Sequence, residues 1–420
     1  MMNKYLNLLL VGVAFGVLAV DIEKACGAEA PVSVANQKTK KARGAANRVA
    51  ASEHRRTLNF SDFGKEYTEF KNRLQNEHGL SYALDVSFMP QYGAPSGKKT
   101  AFQTIIYPSV TWTAFNNEYG NATVNAAYNI VRYSGDSATR IGNRLGTVTA
   151  INDYSSMSNA FDELYLSYQL PGKWSWLTLA LGQFPIYNFD GTAYDSNQQE
   201  NFVNFALAQN ATSTYPTASM GGYLQIAPND EWSLALGAQD AHNIDGDGIS
   251  TSHLTKDAHY TSFASLSYTP NIKGLGDGQY SVLVYNQPYV DVQKETTNGW
   301  SLNASQNIGE KWAVFGRING VSGSTAEINQ SYVLGAVYNN PLDRNPLDQI
   351  GFAAAYNKID EKAVGEPLAH DAEKVLEAYW AWGVSKWMTI TPDVQFYIDP
   401  ALNTKSDYAT VFTLRASVFF

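Results

Sequence analysis

The stretch FPIYNFDGTAYDSNQQENFVNF, residues 184–205, places Asp190, Asp195 and Glu200 among Phe184, Tyr187, Phe189, Tyr194, Phe202 and Phe205. Flat apolar rings beside carboxylate acceptors suit recognition of a small hydroxylated solute, whose C–H faces need a surface and whose hydroxyls need partners. The chain offers no matching set for hydrolysis. Its six histidines, at 54, 78, 242, 253, 259 and 370, are scattered, with His242 and His253 in one candidate external loop. Neither a G-x-S-x-G elbow nor a P-loop occurs. The acidic run DAHNIDGDGIS, Asp240 to Ser250, lacks the regular ligand series and closing Glu of an EF-hand and reads as a polar loop. No catalytic residue, metal site or cofactor is assigned, and the chemistry in view is binding and passage rather than turnover.

The elements that must position these residues are strands. The 420 residues include 26 Tyr, 19 Phe, 9 Trp and 32 Gly, a mix that favours sheet. Charged residues make up 16%, against roughly 25% in a typical soluble domain. The net charge of -9, with no basic patch in the main body, excludes a general nucleic-acid binder. After His78 the apolar period drops from about 3.6 to 2, as in LTLALGQF and EWSLALGAQ. The pattern predicts strands near 80–89, 101–112, 121–132, 160–169, 175–184, 217–227, 231–240, 259–269, 279–288, 298–307, 311–320, 331–339, 347–357, 373–385, 389–398 and 408–420.

Long and short connections largely alternate between these segments. That is the pattern of an all-β, closed antiparallel transmembrane barrel, with turns on the periplasmic side and loops outside. Turn formers at 170–173, 228–230, 307–310 and 339–341 fit the short connections. Trp174, Trp232, Trp312 and Trp387 follow short turns and are expected at one membrane interface, where an indole satisfies both its ring and its N–H. The ending FTLRASVFF reads as the closing strand, with Phe412, Leu414, Ala416, Val418 and Phe420 toward lipid.

Parity then assigns the lumen. Arg415 opposes the apolar series of the last strand, and Arg317 and Asn319 oppose Trp312, Val314 and Ile318. Asp393, Gln395 and Tyr397 oppose Val394, Phe396 and Ile398, and Glu163 opposes Leu164 and Leu166. An arginine on lipid near the midplane costs about 2–4 kcal/mol, which favours the inward assignment. The connection 185–216 is expected to fold inward, so that Asp190, Asp195 and Glu200 face these wall residues across a constriction.

Residues 1–30 read as a signal peptide, with LNLLLVGVAFGVLAV as its core and cleavage within 25–30. The sole cysteine, Cys26, belongs to this segment. Residues 31–60 form a basic arm, residues 61–78 a short amphipathic helix begun by Ser61, and residues 79–420 the barrel.

Several blocks carry a resemblance: FDELYLSYQL (161–170), LALGQFPIYNFDG (179–191), ENFVNFAL (200–207), WMTITPDVQFYIDP (387–400) and the ending SDYATVFTLRASVFF. Together the chain resembles the OprB-type carbohydrate-selective porin family of Gram-negative outer membranes. The resemblance implies a sixteen-stranded diffusion channel, with an N-terminal helical region in or under the lumen and a preference for sugars. The expected partners are small hydrophilic solutes, outer-membrane lipid and lipopolysaccharide, and the insertion machinery, for which Phe420 would be part of the signal. Nucleic acid is not among them, and monomer and trimer both stay open. A general or ion-selective porin is the alternative, and an outer-membrane barrel hydrolase a third reading.

Overall fold

Strict alternation of apolar and polar side chains requires a surface with two environments, and the chain meets it by closing a sheet on itself. The computed structural model describes residues 62–420 apart from 96–99, 155 and 247. The signal segment, the basic arm and the Ser61 cap lie outside the described residues. Sixteen strands form one wall: β1 (Leu80–Ala94), β2 (Thr100–Asn117), β3 (Gly120–Gly135), β4 (Ser158–Gln169), β5 (Leu177–Phe184), β6 (Ser219–Ile226), β7 (Trp232–Asp240), β8 (Tyr260–Tyr268), β9 (Gly276–Gln287), β10 (Thr297–Ile308), β11 (Trp312–Val321), β12 (Ile328–Asn339), β13 (Gln349–Ile359), β14 (Ala372–Gly383), β15 (Met388–Ile398) and β16 (Tyr408–Phe419). Each runs antiparallel to its neighbour, and a two-residue segment, Asn271–Ile272, adds a short pairing beside β9.

Closure is direct. β1 pairs with β16 from Asp85 opposite Phe419 to Ala94 opposite Thr410. Phe420 N–H then donates to Leu84 O at 3.0 Å, and Leu84 N–H to Phe420 O at 3.2 Å. An open edge in hydrocarbon would leave several kcal/mol per unpaired amide, so the ring is the arrangement that strands in lipid require. Among the described residues no helix is long and apolar enough to cross a membrane, so the strands make the crossing.

Short turns such as 118–119, 170–176, 227–231, 309–311 and 384–387 gather at one end, and 136–157, 185–218, 241–259 and 360–371 at the other. In the outer-membrane pattern the short-turn end is periplasmic. Gly172 and Gly309 sit in those turns at φ 57° and 65°, a left-handed conformation that costs glycine little. Trp174, Trp232, Trp312 and Trp387 all lie at this end with exposed rings. Trp232 stacks on Tyr268 at 4.4 Å, Trp312 lies 4.6 Å from Tyr338, and Trp387 stacks on Phe420 at 5.9 Å.

Two helices flank the wall's use. Helix α1 (Asp62–His78) hangs beneath the start of β1. Its Tyr67 meets Tyr82 edge-on at 6.4 Å, and Lys71 Nζ lies 4.9 Å from the same ring. Tyr82 shares a face with the lipid-exposed Phe88 and Ser81, bonded to Gln75, lies on the opposite face, so the helix sits beneath the rim at the start of β1. Helix α2 (Ala138–Leu145) follows β3 inside the barrel, capped by the Ser137 hydroxyl and ended by Gly146 at φ 71°.

The inner surface is shaped by rings folded over glycines on the next strand. Tyr285 stands opposite Gly299, and Phe315 opposite Gly335. A Cβ on Gly299 would meet the Tyr285 ring at 2.1–2.2 Å, and one on Gly335 would meet Phe315 at 2.2 Å. Glycine there creates the room for an aromatic floor on which the inward loops rest.

Candidate functional site

The wide upper lumen is filled by two loops, 136–157 after β3 and 185–218 after β5. Apolar contacts bring them inward: Ile141, Leu145, Ile151, Phe202 and Leu207 share one buried cluster with Phe315, Val333, Val375, Tyr379 and Val411 of the wall. Phe184 and Phe189 join Tyr223 and Phe263 in a second. Phe202 lies 4.9 Å from Tyr379 and 5.5 Å from Phe315, and Phe189 lies 5.0 Å from both Tyr223 and Phe263. Within the second loop Asn204 caps a single turn, α3 (Phe205–Ala208), by accepting from Ala206 N–H.

Buried loop backbone must find hydrogen-bond partners, and charged wall residues supply them. Arg415, 1% exposed, donates to the carbonyls of Gln198, Glu200 (3.2 Å) and Asn201 (2.7 Å). Ser417 Oγ donates to Gln199 O at 2.7 Å. Arg317, 2% exposed, pairs with Asp195 at 3.2 Å and donates to the carbonyls of Asp195 and Leu207. Glu377 accepts the N–H groups of Val203 (2.6 Å) and Asn204 (2.9 Å). Glu373 does the same for the first loop, accepting from Val148 (3.1 Å) and Thr149 (2.8 Å), and also takes Ala401 N–H (3.0 Å) from the connection before β16. Asn204 Nδ2 reaches Gln395 Oε1 at 3.1 Å and the Tyr397 hydroxyl at 2.6 Å, while Gln395 Nε2 donates to Ile151 O. Gln395 and Tyr397 therefore tie both loops to β15.

Asp190 lies at the start of the second loop. It accepts from Asn210 (2.8 Å), Tyr215 (3.2 Å) and Asn303 of β10 (2.8 Å). The lower inner faces of β2, β3 and β4 stay polar and half-exposed at Ser109, Thr111, Thr123, Asn125 and Ser167. Here hydroxyls and an amide are exchanged between strands, as in Thr123 with Ser167 at 2.7 Å and Thr111 with Asn125 at 3.1 Å. Short hydroxyl and amide groups thus stay half-exposed on the inner face of β2–β4 beneath the filled upper lumen.

At the upper end of that face β4 carries a bulge. Ala127 pairs with Glu163 and the next residue, Tyr128, with Phe161, so Asp162 is the extra residue. Asp162 is buried and accepts from the Tyr187 hydroxyl at 3.0 Å, while Glu163 is half-exposed and accepts from Asn188 at 2.5 Å. Both carboxylates meet the first turn of the inward loop.

Every lumen position read from parity lies on an inner face: Glu163, Arg317, Asp393, Gln395, Tyr397 and Arg415. Asp195, Glu200, Arg317 and Arg415 come together at the seam between loop and wall, with Asp393 beside Glu377 and Arg415. Asp190 adjoins that seam through Asn303, which stands opposite Arg317, whereas Glu163 sits on β4 against Asn188. Sequence reasoning missed Asp162, because a bulge breaks parity, and Glu373 and Glu377, whose alternation with Leu376 and Trp380 carried the signal. Among the described residues no group of three or more His, Cys, Asp or Glu is set as a ready-made metal site.

Comparison with known proteins agrees with this architecture. The profile of the family described as "Carbohydrate-selective porin, OprB family" matches residues 166–420. The Porin AaxA of Chlamydia felis (strain Fe/C-56) is 37% identical over 367 residues, 85% of this chain and 81% of that protein. The Porin AaxA of Chlamydia pneumoniae is 40% identical over 346 residues, covering 80% and 78%. Among solved structures, the high-pH structure of Pseudomonas putida OprB superposes with a TM-score of 0.68 at 15% identity, over 84% of this chain and 97% of that one, a likeness of fold.

Proposed function

Because the chain belongs to the carbohydrate-selective porin, OprB family, and is an outer-membrane diffusion channel of that fold, we propose that it acts as a general or ion-selective porin that favours small cationic and neutral hydrophiles. The observation behind this reading is the charge turned into the lumen. The strands direct Asp85, Asp162, Glu163, Glu373, Glu377 and Asp393 inward, against Arg317 and Arg415 alone among the described residues. Both guanidiniums are buried and engaged by loop carbonyls and Asp195, so neither stands free to attract anions. The loop 185–218 contributes Asp190, Asp195 and Glu200 and no Lys or Arg, while helix α2 of the other inward loop brings Arg140 and Arg144, both paired with Asp136.

A cation about 5 Å from one carboxylate gains about 1–3 kcal/mol across effective dielectrics of 80 to 20. That is enough to bias flux without trapping the ion. Glu163, half-exposed on the inner face of β4, is the residue best placed to exert it.

A preference for mono- or small oligosaccharides is the second reading. The family's description and the grouping of Tyr187, Asn188 and Asp190, a ring with amide and carboxylate partners, favour it. Liposome swelling with size-matched sugars, amino acids and salts, together with reversal potentials in planar bilayers under a KCl gradient, separates the two. Cation-selective potentials that shrink in Glu163→Gln support the first. Sugar flux above that of neutral solutes of equal size would replace it with the second, and absence of solute flux through folded protein would reject both.

A further inference from the structure

The outward faces of the strands meet lipid, and a charge there needs a reason. Among the described residues the accessible charges on those faces are Arg132, Lys358 and Lys374, all cationic and all toward the external ends of their strands. Lys358 and Lys374 belong together. Lys358 stands opposite Ala372, and Lys374 opposite Tyr356 and Ile398, so the two rise from diagonal positions on β13 and β14. Asp399 pairs with Lys374, whereas Lys358 is exposed and has no ion pair among the described residues.

Beneath these lysines the outer wall is hollowed. Leu334, Ala354, Leu376 and Phe396 stand side by side in one row across β12–β15, and the next row reverses the order of sizes with Ala336, Phe352 and Ala378. Large and small side chains therefore alternate in both directions, and the alanines leave an open apolar groove of about 610 Å³ between their larger neighbours. A strand rises about 3.4 Å per residue, which puts Lys374 about 7 Å above Leu376 and Lys358 about 14 Å above Ala354. Tyr332 and Tyr356 share the row of Lys374, with their rings 6.2 Å apart. Exposed tyrosines at that height mark the headgroup level of the outer leaflet.

We propose that this face of β12–β15 holds one phosphorylated glycolipid of the outer leaflet, with an acyl chain in the groove and a phosphate at Lys358 and Lys374. Charge selects the occupant. The lysines stand at the external end, where an ammonium on an apolar stem lies along the wall while its head meets an anionic group at the membrane surface. The groove below offers that lipid's chain an apolar bed at the depth of the hydrocarbon, walled by Leu334, Phe352 and Leu376. The site faces lipid and not the lumen, so it stands apart from the question of which solutes pass.

The test is native mass spectrometry of the full chain, folded in detergent and titrated with purified lipid A. One saturable lipid A per chain is expected, held about tenfold or more weakly by Lys358→Gln/Lys374→Gln, because each lysine at the surface adds its own attraction to the phosphate. Ala354→Leu, which fills the groove, should weaken binding too, and dephosphorylated lipid A should bind the parent as poorly as lipid A binds the double variant. Arg132→Gln, on β3 and away from the groove, should bind as the parent does. Folding of each variant is checked by heat-dependent mobility in gels. Absence of saturable binding in the parent overturns the proposal, as does undiminished binding in the folded double variant. An equal loss in Arg132→Gln would make the attraction a general one of the rim and overturn the site. Equal retention of phosphatidylglycerol would give the groove to phospholipid and overturn the choice of a glycolipid.

Discussion

Glu373 and Glu377 stand on the same inner face of β14 and each grips a different inward loop by accepting two successive loop N–H groups. Glu373 holds Val148 and Thr149, and Glu377 holds Val203 and Asn204. One strand thereby fastens both loops.

Replacing Glu377 by Gln keeps one acceptor but turns an amide NH2 toward a backbone N–H. The charge-assisted pair is lost, at about 1.5–3 kcal/mol. The expected result is a larger and noisier single-channel conductance, with increased amide exchange at 198–208. Glu373→Gln should loosen 147–149 instead, leaving 198–208 protected. Identical exchange patterns in the two variants would show that the clamps do not act on separate loops.

Arg317 and Asp195 form a buried ion pair whose single and double replacements should differ in size. Asp195→Ala leaves a guanidinium in the core without its counter-charge, and breaking a buried pair in this way costs about 3–5 kcal/mol. Arg317→Met with Asp195→Leu removes both charges and should recover most of that loss. Urea midpoints of folded protein, with conductance as the second readout, measure the difference.

Gly299 faces the Tyr285 ring, whose hydroxyl accepts from Thr214 N–H at 3.1 Å and donates to Thr212 O at 3.2 Å. Gly299→Ala forces that ring aside, an overpacking change of about 1–3 kcal/mol, and should release 212–214 to exchange. Gly248→Ala, where an added Cβ meets nothing within 4 Å, should have little effect and serves as control.

The wall was legible in the sequence because lipid and water impose opposite demands on alternate residues. Leu164, Leu334 and Phe412 had no other stable place than the outer face, and each inward residue followed by parity. Arg317 and Arg415 were found the same way. What they do was not legible, since a basic residue facing a channel and one serving a folded-in loop leave the same alternation. Apart from Asp195, their partners are backbone carbonyls of 195–207, which no side-chain pattern announces. Asp162 was hidden for a different reason: its bulge shifts the register by one, so a reading by parity assigns it to lipid. The placement of α1 beneath the rim was hidden as well, since an amphipathic helix fits either side of it.

Glu295, in the external loop before β10, joins three loops by accepting from Ser324 N–H at 2.8 Å and Lys362 Nζ at 3.4 Å. The Ser324 N–H and then the Lys362 ammonium hold its carboxyl below the usual glutamate range. A depressed carboxyl stabilises the tie above its unfolded value and loses that contribution as pH falls through the folded one. Amide exchange at 322–324 should therefore rise on acidification below the ordinary glutamate range. In Glu295→Gln it should be raised already at neutral pH and change little with acid.

Phe420 closes the ring twice over. Its N–H and carbonyl complete the pairing with Leu84, and its side chain stacks on Trp387 at the periplasmic interface. Deleting it leaves Leu84 N–H and C=O without their partners and opens the seam between the first and last strands. Phe420→Leu keeps both backbone bonds and removes only the ring, so comparison of the two variants divides closure from recognition. If the backbone pairing carries assembly, the deletion yields little heat-modifiable barrel while Phe420→Leu assembles nearly as the parent. If the terminal ring is read by the insertion machinery, Phe420→Leu fails in cells yet refolds in detergent. Normal assembly of the deletion in cells would contradict both roles.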